Sequence, residues 1–147
     1  MTMRNVQKSF DLSGRVALVT GAGSGIGRAA AIRLARDGVN VAALGRTDDE
    51  LAKTVQRIEK DDGAGVAITA DISDAHAMEQ AVNTIIDTWG RLDIVFANAG
   101  INGVWAPLED LTPEDWDTTL NVNLRGTFLT VKYAAPYLKR QGGSVII

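Results

Sequence analysis

The stretch of sequence that decides the fold is Thr20-Gly21-Ala22-Gly23-Ser24-Gly25-Ile26-Gly27. It follows the apolar run Val16-Ala17-Leu18-Val19 and precedes a segment with helical periodicity. A glycine-rich turn between a strand and a helix exposes backbone N–H groups that have no partner inside the helix, and the helix dipole attracts negative charge. We therefore predict a phosphate-binding turn at residues 20–27, against the alternative of a flexible loop that only joins two elements.

The glycines of this turn are predicted to have different tasks. The spacing does not complete G-x-G-x-x-G, because Ile26 stands where the third glycine is expected, and it fits G-x-x-x-G-x-G instead. Gly21 then allows the tight turn, Gly25 lets a diphosphate approach the backbone, and Gly27 lets the helix pack close to the sheet. Ser24 and Ile26 complete the predicted grip on the diphosphate.

Outward from the turn, apolar runs alternate with helical periodicity along the chain. Predicted strands occupy residues 16–20, 39–44, 63–70, 93–97 and the final run from residue 144. Predicted helices occupy residues 24–37, 47–61, a segment that ends at Gly90, and residues 112–139. This alternation predicts an α/β protein, a Rossmann-type doubly wound parallel sheet of five strands and four crossover helices. The chain stops inside the fifth predicted strand, so we expect the sheet to be truncated before its last strands. We expect an incomplete dinucleotide-binding domain over residues 12–147, after a flexible N-terminal tail over residues 1–11.

Two four-residue patterns predict helix starts. Thr47-Asp48-Asp49-Glu50 predicts a capping box, with Thr47 as N-cap and Glu50 reaching back to it. Thr112-Pro113-Glu114-Asp115 predicts a second start, with proline at the first helical position. Apolar side chains then form a stripe along the helix, comprising Trp116, Leu120, Leu124, Thr127, Phe128 and Val131.

The composition excludes several classes of function. The formal net charge of −3 offers no basic field for nucleic acid. The chain has no cysteine and a single histidine, His76, so disulfides are excluded and no metal site is expected. No apolar stretch approaches the roughly 20 residues that span a membrane, and the polar start lacks a signal core. We therefore expect no membrane partner and a cytoplasmic location.

Four motifs in this order resemble one protein family. They are the glycine turn, Asp71-Ile72, Asn98-Ala99-Gly100, and the segment from Trp116 to Asn123-Leu124. Together they resemble the short-chain dehydrogenase/reductase family over residues 12–147. The resemblance implies an oxidoreductase of the carbonyl/alcohol type, which passes hydride between a nicotinamide dinucleotide and the carbon of a small substrate. It also implies a homo-oligomer, a dimer or tetramer, when the protein is complete.

The end of the second strand bears on the choice of cofactor. Gly45 removes the carboxylate that would bind an adenosine ribose and repel a 2′-phosphate. Arg46, about 20 residues after the glycine turn, can clamp a phosphate with its planar guanidinium. These two residues favour NADP(H) over NAD(H), although Ser24 stands where many NADP-preferring members of the family have Arg or Lys. The alternative is that Arg46 is an ordinary solvated residue.

The resemblance assigns further contacts to the cofactor. Asp71 is implied to accept a hydrogen bond from the adenine amino group, with Ile72 beside the ring. The alternative is that Asp71 or Ser73 only caps the next helix. Asn98, Ala99 and Gly100, after the fourth strand, are implied to let the cofactor ribose approach, and the alternative there is a plain Asx turn.

Asn123 is the catalytic residue that the resemblance implies within this chain. The family's active-site Asn stands seven residues after the helix tryptophan and just before a leucine, which selects Asn123 over Asn121. In the family, this Asn helps to hold a water that links the catalytic Lys to solvent. The alternative is a buried Asn whose amide is satisfied by backbone.

The family's catalytic Ser and its Tyr-x-x-x-Lys pair do not appear in the chain. Tyr133 is followed four residues on by Tyr137, and Tyr137 by Gln141. We therefore expect the 147-residue chain to be inactive alone and to be the amino-terminal part of a longer reductase. The alternative is a naturally short, non-catalytic NAD(P)-binding sensor or scaffold. A methyltransferase with a glycine-rich loop would not explain the four motifs together.

Overall fold

The computed structural model describes residues 11–147, so the predicted tail lies outside the described residues apart from its last residue. The strands in this range are β1 Val16–Thr20, β2 Asn40–Gly45, β3 Gly65–Thr69, β4 Ile94–Phe96 and β5 Ser144–Ile146. The helices are α1 Gly25–Arg36, α2 Asp48–Lys60, α3 Ala75–Trp89, α4 Pro113–Leu120 and α5 Thr127–Gln141. A π-helical segment, Asn121–Gly126, joins α4 to α5, and a short 3-10 turn lies at Leu108–Asp110.

The five strands form one parallel sheet in the order β3-β2-β1-β4-β5. The chain winds outward from β1 to β3 and then returns to place β4 on the other side of β1. The strand order therefore reverses between β1 and β4, and ligands of such sheets bind outside the carboxyl ends of the strands at this reversal. The predicted Rossmann-type doubly wound sheet is confirmed.

The centre of the sheet, at β1 and β2, is buried on both faces. Alternate residues of a strand point to opposite sides, so each face of β1 contributes to a different core cluster. Val16 and Leu18 of β1 belong to a core cluster that also holds residues of α3 and α5. Ala17 and Val19 belong to a second cluster with residues of α1 and α2. Two helices on each face therefore hold β1 and the turn that follows it in place.

Helix α1 ends as its sequence predicts. Gly38 has a φ of +84°, and its N–H donates to the carbonyl of Ala35. The next N–H, of Val39, donates to the carbonyl of Leu34. This pair of bonds is a Schellman motif, which uses a left-handed glycine to satisfy the last carbonyls of a helix.

The two predicted capping boxes have different outcomes. At α4 the prediction is confirmed, because Thr112 Oγ1 accepts from Asp115 N–H at 3.1 Å and Asp115 Oδ2 accepts from Thr112 N–H at 3.1 Å. At α2 it is wrong, because Thr47 is the N-cap but its side chain accepts no capping hydrogen bond. The Glu50 carboxylate instead lies against the glycine turn, since a Cβ at Gly23 would stand 3.1 Å from Glu50 Oε2.

The helix predicted over residues 112–139 is continuous but not uniform. The six-residue π-helical segment interrupts its α-helical geometry, and α5 runs past Pro136 to Gln141. None of the helices in the described part of the chain has the length and apolarity that crossing a membrane requires.

The apolar stripe predicted on this helix does not face the sheet. Leu124 and Phe128 are 66% and 58% exposed, and Trp116 is exposed as well. The face that packs on the core mixes two leucines, Leu129 and Leu138, with small side chains such as Thr130 and Ala134. A Cβ at Gly126 would stand 2.6 Å from Ile72 Cδ1, so the close packing of this segment against Ile72, after β3, requires a glycine there.

Candidate functional site

The glycine turn leaves β1 and enters α1 through two residues with positive φ, Gly21 at +67° and Gly25 at +49°. Gly27 is buried under the turn, where a Cβ would stand 2.2 Å from the carbonyl oxygen of Gly21. Among the hydrogen bonds of residues 11–147, none is donated to protein by the N–H groups of residues 23–26. The turn therefore presents a row of unpaired donors at the amino end of a helix, which is the geometry of an anion site.

The loop after β4 forms the opposite wall and is tied to the end of β1 by Thr20. Asn98 Nδ2 donates to the Thr20 carbonyl at 3.1 Å. The Ala99 N–H donates to Thr20 Oγ1 at 3.0 Å. These two bonds fix the loop beside the glycine turn and leave its small residues, Ala99 and Gly100, facing the space between the walls.

Asp71, at the end of β3, makes a local turn rather than the helix cap. Its Oδ1 accepts from Ser73 N–H at 2.9 Å and from Ser73 Oγ at 2.7 Å, while Asp74 caps α3. These bonds to Ser73, aided by the positive charge of Arg46, hold the pKa of Asp71 below its usual value. Asp71 is thus a carboxylate that retains acceptor capacity. Ile72 is 5% exposed and packs mainly in the core.

Arg46 follows β2 and is exposed to solvent. It makes no salt bridge with the carboxylates of residues 11–147, including its neighbours Asp48 and Asp49. Its charge acts on Asp71 across the cleft. The guanidinium therefore keeps its donors available to a ligand.

Asn123 lies in the π-helical segment and grips the loop after β4. Its Oδ1 accepts from Ile101 N–H at 2.8 Å, and its Nδ2 donates to the Ile101 carbonyl at 2.8 Å. A Cβ at Gly100 would stand 3.1 Å from Asn123 Oδ1, so the loop packs closely against this amide. Asn123 is exposed in the structure, so its amide is satisfied by backbone without being buried.

These elements enclose a cleft of about 650 Å³ at the carboxyl ends of the strands, within the size range of small-molecule sites. The cleft is lined by every predicted cofactor residue except Gly27, which lies beneath the turn: Gly21, Ser24, Gly25, Ile26, Arg46, Asp71, Ile72, Asn98, Ala99 and Gly100. Asn123 does not line the cleft; it stands behind the loop and supports two lining residues, Gly100 and Ile101.

Three further residues line the cleft or hold its walls in place, and none of them is among the site residues predicted from the sequence. Glu50, predicted to complete a capping box at α2, lines the cleft beside Gly23 instead. Thr20 belongs to the predicted glycine motif, and its carbonyl and hydroxyl also anchor the loop after β4, which the motif alone does not predict. Thr54 is fully buried on α2 between Leu51 and Ile58. A polar residue at a core position of an amphipathic helix is a signal that would have singled it out.

A glycine turn at the reversal point of a doubly wound parallel sheet defines a Rossmann-type nucleotide-binding domain. A family model described as short chain dehydrogenase matches residues 15–147. The chain belongs to this family of oxidoreductases.

Individual relatives agree with this assignment. The chain is 41% identical over 138 residues to an uncharacterized oxidoreductase of Thermotoga maritima. These residues make up 94% of this chain and 54% of the relative. A 3-ketoacyl-ACP reductase from Sinorhizobium meliloti has a TM-score of 0.86 at 56% identity, over 88% of this chain and 51% of that one. Carveol dehydrogenase from Mycobacterium avium, solved in complex with NAD, has a TM-score of 0.87 at 31% identity, over 92% of this chain and 54% of that one. The chain spans about half the length of these relatives.

Proposed function

We propose that the full protein is an oxidoreductase of the carbonyl/alcohol type that transfers hydride between a nicotinamide dinucleotide and a substrate carbon, with residues 12–147 as its dinucleotide-binding domain. The observation that carries the proposal is the cleft in which the glycine turn and the loop after β4 face each other. Family membership supports it, and so do the names of the relatives, a 3-ketoacyl-ACP reductase and a carveol dehydrogenase. The substrate is accordingly a small carbonyl compound or the matching alcohol.

The residues of the cleft fit a dinucleotide. No atom lies within 4 Å of the point where a Cβ would stand on Gly25, so a diphosphate can approach the backbone there. The unpaired N–H groups of the turn would bind its oxygens. The carboxylate of Asp71 would accept from the adenine amino group, and the small residues Ala99 and Gly100 would leave room for the ribose. The bound cofactor supplies the hydride, while this chain binds and orients it.

The cofactor we propose is NADP(H) in preference to NAD(H). Gly45 contributes no carboxylate at the end of β2, and the unpaired guanidinium of Arg46 can bind a 2′-phosphate. The Glu50 carboxylate lies in the same cleft and opposes a further negative charge, so the preference depends on the balance between Arg46 and Glu50.

The cofactor preference is tested with Arg46→Ala. We expect its Kd for NADPH to rise about tenfold and its Kd for NADH to stay within about twofold, because only NADPH carries the 2′-phosphate. Arg33→Ala is the matched control, since Arg33 pairs with Asp37 at 3.0 Å on α1 and touches no part of the cleft. Equal affinity of the unmodified protein and Arg46→Ala for NADPH would remove Arg46 from the explanation.

The activity is tested with the full gene product and a panel of small ketones and alcohols. Absorbance of the reduced nicotinamide at 340 nm, the ordinary readout of hydride transfer, is followed with NADPH, NADH and their oxidised forms. Cofactor binding together with turnover supports the proposal. Binding without turnover of any ketone or alcohol would favour the alternative of a non-catalytic NAD(P)-binding sensor.

For Asn123 we propose a catalytic part that acts through the loop after β4. Both amide atoms of Asn123 are engaged by the Ile101 backbone, so this side chain fixes the wall against which substrate and nicotinamide would meet. Asn123→Ala is expected to lower kcat more than cofactor affinity. Asn121→Ala is the matched control, because Asn121 lies in the same segment and makes no bond to the loop.

We also propose that the full protein is a homo-oligomer. Large apolar side chains remain exposed along α4, the π-helical segment and α5, including Leu120, Leu124 and Phe128. Exposed apolar patches on one surface mark interaction sites. Size-exclusion chromatography with light scattering on the full gene product measures the assembly, and a monomer would contradict the proposal.

A further inference from the structure

Thr54 is a fully buried polar residue on α2 whose hydroxyl reaches out of its own helix. Its Oγ1 donates to the carbonyl oxygen of Ala22, in the glycine turn, at 2.9 Å. The carbonyl of Glu50, one helical turn earlier, lies slightly farther from the same hydroxyl, at 3.1 Å. The bond to Ala22 therefore links the second helix of the fold to the turn that follows the first strand.

Arg28, on the first turns of α1, completes this link. Its Nε donates to Thr54 Oγ1 at 3.1 Å, and its Nη2 donates to the carbonyl oxygen of Gly23. The hydroxyl of Thr54 thus accepts from Arg28 while it donates to Ala22, which uses the donor and acceptor capacity of one hydroxyl together. Two successive carbonyls of the turn are each held by a side chain from the surrounding helices.

Holding a carbonyl fixes the N–H of the same peptide plane. The C=O and N–H of a planar trans peptide point in opposite directions, and residues 11–147 contain no cis peptide. The Ala22 carbonyl shares its plane with the Gly23 N–H, and the Gly23 carbonyl shares its plane with the Ser24 N–H. When Thr54 and Arg28 hold the two carbonyls toward α1 and α2, the two N–H groups face away from these side chains.

We infer that Thr54 and Arg28 are positioning residues that set the orientation of the Gly23 and Ser24 N–H groups toward the diphosphate of the cofactor. This inference rests on the proposed function, because it assumes that a dinucleotide occupies the cleft. Such donors act most strongly when they are oriented before the ligand arrives, since the ligand then does not have to reorganise them. If either side chain is removed, the sequence of the turn is unchanged, but the peptide plane that the side chain held can rotate and its N–H group is no longer held in one orientation.

Thr130 shows what a merely structural threonine does in this fold. It is fully buried on α5, and its Oγ1 donates to the Gly126 carbonyl, four residues earlier in the chain, at 2.8 Å. That bond stays within the helical segment and touches no part of the cleft. Thr54 has the same burial and a comparable i−4 acceptor, but its shortest bond goes to the glycine turn. The two threonines therefore form a matched pair for substitution.

The test compares Thr54→Val, Thr54→Ser, Arg28→Gln and Thr130→Val in the full gene product. Calorimetric titration gives the Kd for NADPH and for 2′-AMP, a ligand that has the adenosine and 2′-phosphate but lacks the diphosphate. We expect Thr54→Val and Arg28→Gln to bind NADPH about tenfold more weakly, a typical result of losing one hydrogen bond to a polar network. Thr54→Ser keeps the hydroxyl, and Thr130→Val changes no group near the cleft. For both variants we expect a Kd for NADPH within about twofold of that of the unmodified protein.

Binding of 2′-AMP separates positioning from general damage. If Thr54 and Arg28 act by positioning, the Kd for 2′-AMP stays unchanged in all four variants. If a substitution loosens the fold in general, the Kd values for 2′-AMP and NADPH rise together. Equal losses for the two ligands, or NADPH binding by Arg28→Gln at the unmodified affinity, would overturn the inference. Arg28 is only half-buried, so its variant remains informative if Thr54→Val does not fold. A protein that binds neither NADPH nor NADH before substitution would overturn the proposed function itself.

Discussion

Gly27→Ala adds one methyl group at the most crowded position of the glycine turn. A Cβ there would stand 2.2 Å from the Gly21 carbonyl oxygen and 2.7 Å from Asn98 Nδ2. Favourable contacts between heavy atoms need about 3.5 Å, so the amino end of α1 has to move by about 1 Å from the turn. Such overpacking costs about 1–3 kcal/mol, and the better helix propensity of alanine returns about 1 kcal/mol. We expect a net loss of up to about 2 kcal/mol in unfolding free energy.

The effect on cofactor binding is expected to be larger than the effect on stability. A shift of about 1 Å moves the unpaired N–H groups away from the positions at which they bind a diphosphate, and losing one such charge-assisted bond costs about 1.5–3 kcal/mol. The Kd for NADPH should therefore rise by at least about tenfold. Isothermal titration gives the Kd, and urea unfolding gives the loss of stability in the same protein.

Gly90→Ala is the control for this prediction. Gly90 ends α3 with a φ of +72°, and a Cβ there would meet no atom within 4 Å. Alanine at such a position costs about 1–2 kcal/mol through backbone strain alone. The control thus matches the loss of stability but leaves the cleft intact. NADPH affinity within twofold of the unmodified protein for Gly27→Ala, or an equal loss for both variants, would refute the reasoning.

Three further predictions concern the sheet, the cofactor and the exposed surface. Burial raises the pKa of Asp93, but hydrogen bonds from Arg91 and from the Val16 N–H outweigh it and hold the pKa below its usual value. Asp93→Asn should therefore lower the unfolding free energy by about 2 kcal/mol at neutral pH, and urea curves of the two proteins should converge as the pH falls below about 4, through the folded-state pKa. Glu50→Gln should strengthen NADPH binding about threefold and change NADH binding less, as measured by titration, because a negative charge leaves the cleft. Leu124→Asp should weaken self-association of the full gene product in light scattering and leave its melting temperature within a few degrees, because Leu124 is largely exposed.

The fold could be predicted from the sequence because its signals are local. Strand β1 is an apolar run with a glycine turn directly after it, and α3 carries apolar residues at helical spacing up to Gly90. Strong periodicity of this kind needs no knowledge of distant contacts. The order of the strands then follows from right-handed crossovers and the reversal beside β1.

The details of the site that were missed depend on contacts between distant parts of the chain. The pattern Thr47 to Glu50 is a good capping box by sequence, yet Glu50 packs against Gly23 and the box does not form. The π-helical segment around Asn123 has no signature in single-residue propensities. Its side-chain bonds to Ile101 connect residues 22 positions apart. Such choices are made by tertiary packing, which overrides local preference.

The three motif glycines can be separated by what each of them faces. A Cβ at Gly21 would stand 2.9 Å from Asn98 Nδ2, and a Cβ at Gly27 would stand 2.7 Å from the same atom. A side chain at either glycine would collide with the Asn98 amide. That amide binds the Thr20 carbonyl and joins the two walls of the cleft. Gly25 meets no atom within 4 Å, so no protein contact there requires a missing side chain. Two glycines of the motif thus serve the assembly of the two walls. Gly25, at a φ of +49°, is the one whose side the protein leaves open, and it is there that we propose the diphosphate approaches.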